Sequence, residues 1–153
     1  MGPVLTPEQV LELIPQQEPF RFIDAIDEID DKHIVARYCF RPNAEFYRGH
    51  FPGNPVTPGV ILLETMAQAA VVALGIYVAA VELGVEETKK LVAVFTDANV
   101  EFSDIVRPGD EVITRAEKRF FRRMKMRSEA EVRRATDEVL VCSGTVSGMG
   151  VIL

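Results

Sequence analysis

His50, Glu64 and Gln68 have the types and spacing for acid–base chemistry, and all three fall in one stretch, "GHFPGNPVTPGVILLETMAQAA", Gly49 to Ala70. His50 is one of only two histidines and stands ahead of prolines at 52, 55 and 58. Glu64 is a lone carboxylate among Ile61, Leu62, Leu63 and Met66, with Gln68 four residues on. On a helix that spacing puts the amide on the carboxylate's face. A carboxylate in apolar surroundings needs partners or a raised pKa, and either suits a catalytic acid. Pro58-Gly59 leads into a helix N-terminus, whose open N–H groups and dipole stabilise negative charge. The same dipole favours ionised Glu64, and the pattern leaves open which effect is larger. A base, an acid and an anion trap together suit proton abstraction beside a carbonyl, followed by loss of a leaving group. The plainer alternatives are a stiff proline-rich connector and a glutamate exposed at a helix edge.

The elements that must hold these groups follow from periodicity. Prolines at every third position fix φ and push the preceding residues towards extended geometry. Residues 50–58 are therefore predicted to be a rigid, extended loop without its own ladder of hydrogen bonds. A helix is predicted from about Gly59 to Leu83, apolar nearly all round. Its uninterrupted apolar part after Gln68, "AAVVALGIYVAAV", is 13 residues, too short for a membrane span of ~20. Such a helix must be wrapped, and a curved sheet is the economical wrapping. Thr6-Pro7-Glu8-Gln9 reads as a helix start with a capping box, and Pro15 as its end. "FRFIDAIDEID" and "HIVARYCF" predict a hairpin turning at Asp30-Asp31-Lys32, with Ile34, Ala36, Tyr38 and Phe40 on one face. Later strands are predicted at 91–95, 100–105, 111–127 broken near its middle, 129–134 and 139–146. Arg107-Pro108-Gly109-Asp110 and Thr136-Asp137 are turns between them. One long helix beside five to seven antiparallel strands is an α+β order.

Composition sets the outer bounds. The chain's 153 residues suit a single domain over 1–153 with a real core. A formal charge of −6 argues against a general nucleic-acid binder. Cys39 and Cys142 lie far apart in apolar-patterned segments, which reads as buried thiols, and two histidines with two cysteines write no zinc spacing. The N-terminus has no basic region followed by an apolar core, so no secretory leader is expected, and a cytoplasmic location is the default. Gly2 with Thr6 fits a loose acylation pattern, though a helix cap accounts better for Thr6.

The Gly49–Ala70 block resembles the active-site motif of the 3-hydroxyacyl-[acyl-carrier-protein] dehydratases of the FabZ type. The family pattern runs His-Phe-Pro-Gly, Pro, Pro-Gly-Val, then a hydrophobic run to Glu, with Met-Ala-Gln next. Looser matches continue through Pro19-Phe20 with Asp24, and through Phe102, Val106 and Pro108-Gly109-Asp110, so the landmarks span most of the chain. The resemblance implies a hot-dog fold, the 59–83 helix wrapped by a curved antiparallel sheet. It also implies a homodimer with a continuous sheet, commonly in a trimer of dimers, in which His50 of one subunit meets Glu64 of the other. His50 would take the C2 proton, Gly59 and Val60 would bind the substrate with the Gly59 N–H on the thioester carbonyl, Glu64 would protonate the leaving hydroxyl, and Gln68 would orient Glu64. No metal or redox cofactor is implied, and the substrate arrives on acyl carrier protein. Glutamate at 64 favours this class over the related dehydratase/isomerase type, which carries aspartate there. "IPQQEPF" departs from the His-Arg-Tyr usual before Pro-Phe, and Glu101, Ser103 and Asp104 stand where the family tends to be basic; a specialised paralogue fits both.

The run "KRFFRRMKMR", Lys118 to Arg127, read as one strand, places Arg119, Arg123, Lys125 and Arg127 on one face. That face is either plain solvated surface or a dock for the acidic carrier. Two rival functions complete the field: an acyl thioesterase on the same fold, and a non-catalytic module that binds acyl chains or carrier.

Overall fold

A single helical rod, Gly59–Leu83, runs through the molecule, and the other elements are arranged to cover it. The structure, a computed structural model, describes residues 4–153; Gly2 of the acylation pattern lies outside the described residues. The rod consists of α3 (Gly59–Ala67), a π-helical stretch Gln68–Ala73, and α4 (Leu74–Leu83). In the wide turn the Leu74 N–H reaches Ala69 O, five residues back. All six residues of that stretch are buried, and the buried Ser128 hydroxyl donates to Ala70 O at 2.7 Å. At 25 residues the whole rod is long and apolar enough to cross a bilayer, which the 13-residue count understated. Here the sheet covers it instead, and most of its most apolar part is buried.

Six strands form that cover: β1 (Ala25–Ile29), β2 (His33–Cys39), β3 (Val92–Phe102), β4 (Glu111–Arg122), β5 (Lys125–Arg134) and β6 (Leu140–Val151). They make one antiparallel sheet in the order β1-β2-β4-β5-β6-β3. Period-two alternation turns Ile34, Ala36 and Tyr38 of β2, Val112, Thr114 and Ala116 of β4, and Met126, Ser128, Ala130 and Val132 of β5 towards the rod, all buried. Gly148 lets β6 come close to it, because a Cβ there would lie 2.6 Å from Val71 Cγ1. Two short helices, α2 (Phe46–Gly49) and α5 (Val85–Thr88), flank the rod's ends. The expected α+β class and its antiparallel wrap are present.

The N-terminal helix α1 (Pro7–Leu13) starts as predicted: Thr6 Oγ1 accepts from the Gln9 N–H at 3.2 Å, and Gln9 Oε1 accepts from the Thr6 N–H at 2.9 Å. The hairpin turn is also as expected, with Asp30 Oδ1 accepting from Lys32 and His33 N–H. Both cysteines are free.

Four expectations need correction. Residues 20–24 are not strand, because the Gln68 carboxamide takes the hydrogen bonds a neighbouring strand would: Phe22 N–H donates to its Oε1 at 2.7 Å and Phe20 O accepts from its Nε2 at 2.9 Å. The strands predicted at 91–95 and 100–105 are one, β3, which absorbs its irregularity as a bulge between Phe95 and Asp97. Lys118–Arg127 is not one strand. It is the β4–β5 hairpin, turning at Arg123 (φ 51°) and Met124 (φ 67°), so Arg123 does not share a face with Arg119, Lys125 and Arg127. Residues 50–58 are not extended throughout, for Phe51 and Asn54 exchange backbone hydrogen bonds of 3.3 and 2.9 Å and the Val56 N–H donates to His50 O at 2.9 Å.

Candidate active site

Glu64 sits in the second turn of α3 and lines a small cleft. Ala67, Val71 and Val72 of the rod, Ala93, Val94 and Phe95 of β3, Ser147 and Gln16 line that cleft with it. Burial in these apolar walls pushes the Glu64 carboxyl above the ordinary range, against the pull of the Gln68 amide. Gln68 Nε2 donates to Glu64 Oε1 at 3.0 Å. Gln68 itself is fully buried. With its other bonds on Phe20 and Phe22 it cannot swing away, so the carboxyl is held in a fixed orientation. A half-buried carboxyl above its usual range holds its proton to higher pH than a free one, as a general acid must.

His50 ends α2 and opens the proline-rich loop. Its Nδ1 lies 2.9 Å from Val56 O. A carbonyl oxygen only accepts, so Nδ1 carries a hydrogen, and in the neutral imidazole Nε2 is the nitrogen with the free lone pair. The Phe51 ring stacks on the imidazole at 4.1 Å between centroids. Two contacts that the sequence did not suggest fix the loop. Tyr47 and Thr57, both buried, share a hydroxyl hydrogen bond of 2.6 Å, and the Thr57 N–H donates to Val106 O at 2.8 Å. Tyr47 Oη and Thr57 Oγ1 are ordinary residues in the sequence, and only their burial marks them.

Pro58 precedes α3, and no side chain caps that end, so the Gly59 and Val60 N–H groups belong to the open first turn. The Phe102 ring lies against Gly59, 3.4 Å from where a Cβ would be. Val60 is 72% exposed, at the mouth of the same helix end. Within one chain, then, Glu64 and Gln68 are joined, and Gly59 and Val60 stand one turn earlier. His50 does not line the Glu64 cleft and makes no hydrogen bond to Glu64.

Beyond Glu64 a second, apolar cavity shares Val71, Val72 and Ala93 with the first cleft and extends to Ile76, Phe121, Met124 and Met149. No acid or base lines it. Among the described residues no cluster of His, Cys, Asp and Glu could hold a metal.

By architecture this is a hot-dog protein. A dehydratase heterocomplex from Xenorhabdus doucetiae aligns over 96% of this chain and 92% of its own, with TM-score 0.69 and 14% identity. A thioesterase from Haemophilus influenzae aligns over 97% and 92%, with TM-score 0.65 and 18% identity; at such identities the likeness shows the fold alone. The FabA-like domain family model matches residues 14–145. The 3-hydroxyacyl-[acyl-carrier-protein] dehydratase FabZ of Pediococcus pentosaceus is 42% identical over 109 residues, 70% of this chain and 68% of the relative. FabZ of Lactococcus lactis subsp. cremoris is 34% identical over 91% and 90% of the two chains, and that of Streptococcus uberis 36% identical over 92% and 94%. The chain belongs to the FabA-like family, and within it to the FabZ-type dehydratases.

Proposed function

We propose that the protein dehydrates 3-hydroxyacyl thioesters carried on acyl carrier protein to trans-2-enoyl thioesters, with His50 as base and Glu64 as acid. The observation that carries this assignment of roles is the Glu64 cleft, where an apolar wall raises the carboxyl and Gln68 fixes it. His50 Nε2 takes the C2 proton, and that bond's electron pair becomes the C2=C3 double bond. The C3–O bond breaks, and the oxygen leaves as water with the proton of Glu64. The Gly59 N–H at the open helix end holds the thioester oxygen as it gains charge, and Val60 beside it lies against the arriving substrate. Each acid–base group supplies roughly 10²–10⁴-fold and one oxyanion donor ~10²–10³-fold. The adjoining apolar cavity suits an aliphatic tail.

The site is completed across two copies. β3 is a sheet edge, mostly exposed, and its Ala93, Val94 and Phe95 form one wall of the Glu64 cleft. A second copy pairing along β3 would extend the sheet, cover Val94, Phe95 and Phe102, and carry its own His50 to the cleft.

Mixing subunits tests both the roles and the sharing. His50→Ala and Glu64→Ala are each expected to be inactive, and co-refolded in equal amounts they should recover about one quarter of wild-type activity, because half the dimers are mixed and each mixed dimer holds one intact site. No recovery would sink the shared site. Product analysis of the wild type separates the rival chemistry: enoyl thioester supports dehydration, and free thiol indicates thioester hydrolysis.

A further inference from the structure

Gln16 is a polar residue in the Glu64 cleft that neither the motif nor the acid–base pair requires. Of the polar groups lining that cleft, Glu64 is bonded to Gln68 and the Ser147 hydroxyl accepts from Arg127 Nε at 2.9 Å. Gln16 Oε1 alone is shielded from water with no hydrogen-bond partner, and it is the sole such side-chain atom among the described residues. A buried acceptor left without a donor is costly, so its position calls for a donor that arrives with a ligand. Gln16 is also held in place. Arg21 Nε–H donates to Gln16 O at 3.1 Å, while the same guanidinium caps the carbonyls of Leu11 and Ile14 at the end of α1.

We propose that Gln16 is a positioning residue for the leaving hydroxyl, an inference that rests on the dehydration reading. When Glu64 gives its proton to the 3-hydroxyl oxygen, that hydroxyl's own hydrogen must point at an acceptor. Glu64 Oε1 is already taken by Gln68. Gln16 Oε1 accepts only, and it supplies the missing acceptor from the lining of the same cleft. It holds the C3–O bond in one orientation before cleavage, and afterwards accepts from the water that has formed. The bonds broken and made are those of the dehydration itself, and Gln16 neither gains nor loses a proton.

The test replaces the carboxamide by apolar groups of similar size, Gln16→Leu and, as a second packing solution, Gln16→Met. Both are expected to lower kcat for dehydration about three- to tenfold with KM within about twofold, the worth of one hydrogen bond. Both should also raise the melting temperature, because a stranded acceptor is removed. Gln16→Asn, which keeps an acceptor on a shorter arm, should recover part of kcat. If kcat is unchanged in Leu and Met while the wild type forms enoyl thioester, the positioning role is overturned and the dehydration reading stands. A parallel fall of kcat and melting temperature in both variants assigns Gln16 a structural role and overturns the proposal too. If the wild type forms no enoyl thioester, both readings fall.

Discussion

Gln68 donates to Glu64 Oε1 at 3.0 Å from one side of its carboxamide and accepts the Phe22 N–H at 2.7 Å on the other. One buried side chain therefore orients the acid and stands in for a missing strand beside residues 20–22.

Gln68→Leu should separate those two duties. The Phe22 N–H, buried and orphaned, costs about 1–3 kcal/mol, a fall in melting temperature on the order of 5 °C for a chain of this size. Glu64 also loses the donor that stabilises its ionised form, so its carboxyl rises further. An acid that must be protonated then stays active to higher pH, and the alkaline limb of kcat should move up. A downward move would contradict the Gln68–Glu64 relationship.

Glu64→Gln should be nearly inactive, by roughly 10²–10⁴-fold, yet more stable than the parent at neutral pH. Burial raises the folded carboxyl above its unfolded value. Between those two values the folded protein keeps a proton that the unfolded chain has released, so stability is full below the unfolded value and falls as pH climbs through the folded one. The amide has no such penalty. Thermal melts should show a gain over the parent at about pH 7–8 that vanishes near pH 4.

Asp24 behaves in the opposite sense. Burial pushes its carboxyl up, but the Arg41 fork at 2.7 and 3.1 Å and the Cys39 N–H at 2.8 Å outweigh it and hold the carboxyl below its usual value. This contribution is present above the unfolded value, near pH 4, and lost as pH falls through the lower folded one. Asp24→Asn should be less stable at neutral pH and should narrow the difference from wild type on acidification. Equal losses at pH 7 and pH 3 would disprove the linkage.

The basic run leaves fewer unpaired cations than its composition suggested. Arg119 pairs with Glu129, and Lys125 and Arg127 both pair with Asp97 at 3.2 Å. Arg122 and Arg123, at the hairpin tip, take part in none of the ion pairs among the described residues. Reversing both to glutamate should raise KM for carrier-bound substrate by about tenfold and leave a short pantetheine thioester unaffected, if the tip steers the encounter. Equal effects on the two substrates would remove the dock.

Legibility followed the reach of each signal. The rod, its carboxylate and the amide four residues on were readable because helical spacing is local and three prolines flag the loop before it. α1 was readable from its capping box. Arg123-Met124 was missed as a turn because neither residue is the glycine or asparagine that positive φ usually selects. Residues 20–24 looked like strand because their apolar residues suit an edge, and nothing local reveals that a side chain 46 positions away takes the Phe22 N–H. Gln16 sat in a segment noted only as a departure from the family pattern. Its meaning needed the cleft, which forms from the rod, β3 and β6 together.

The π-helical turn between Ala67 and Leu74 has a geometric consequence. It spends one more residue than an α-turn, and one residue is worth about 100° of rotation. Everything from Leu74 onward is therefore rotated about the rod's axis relative to Glu64 by that one extra position. The part of the far cavity's lining that lies beyond Leu74 and the Glu64 carboxyl keep their present mutual bearing only while that residue is there. Deleting Val72 should turn the two halves of the rod away from each other, which a retained helical circular dichroism signal together with lost dehydration activity would report.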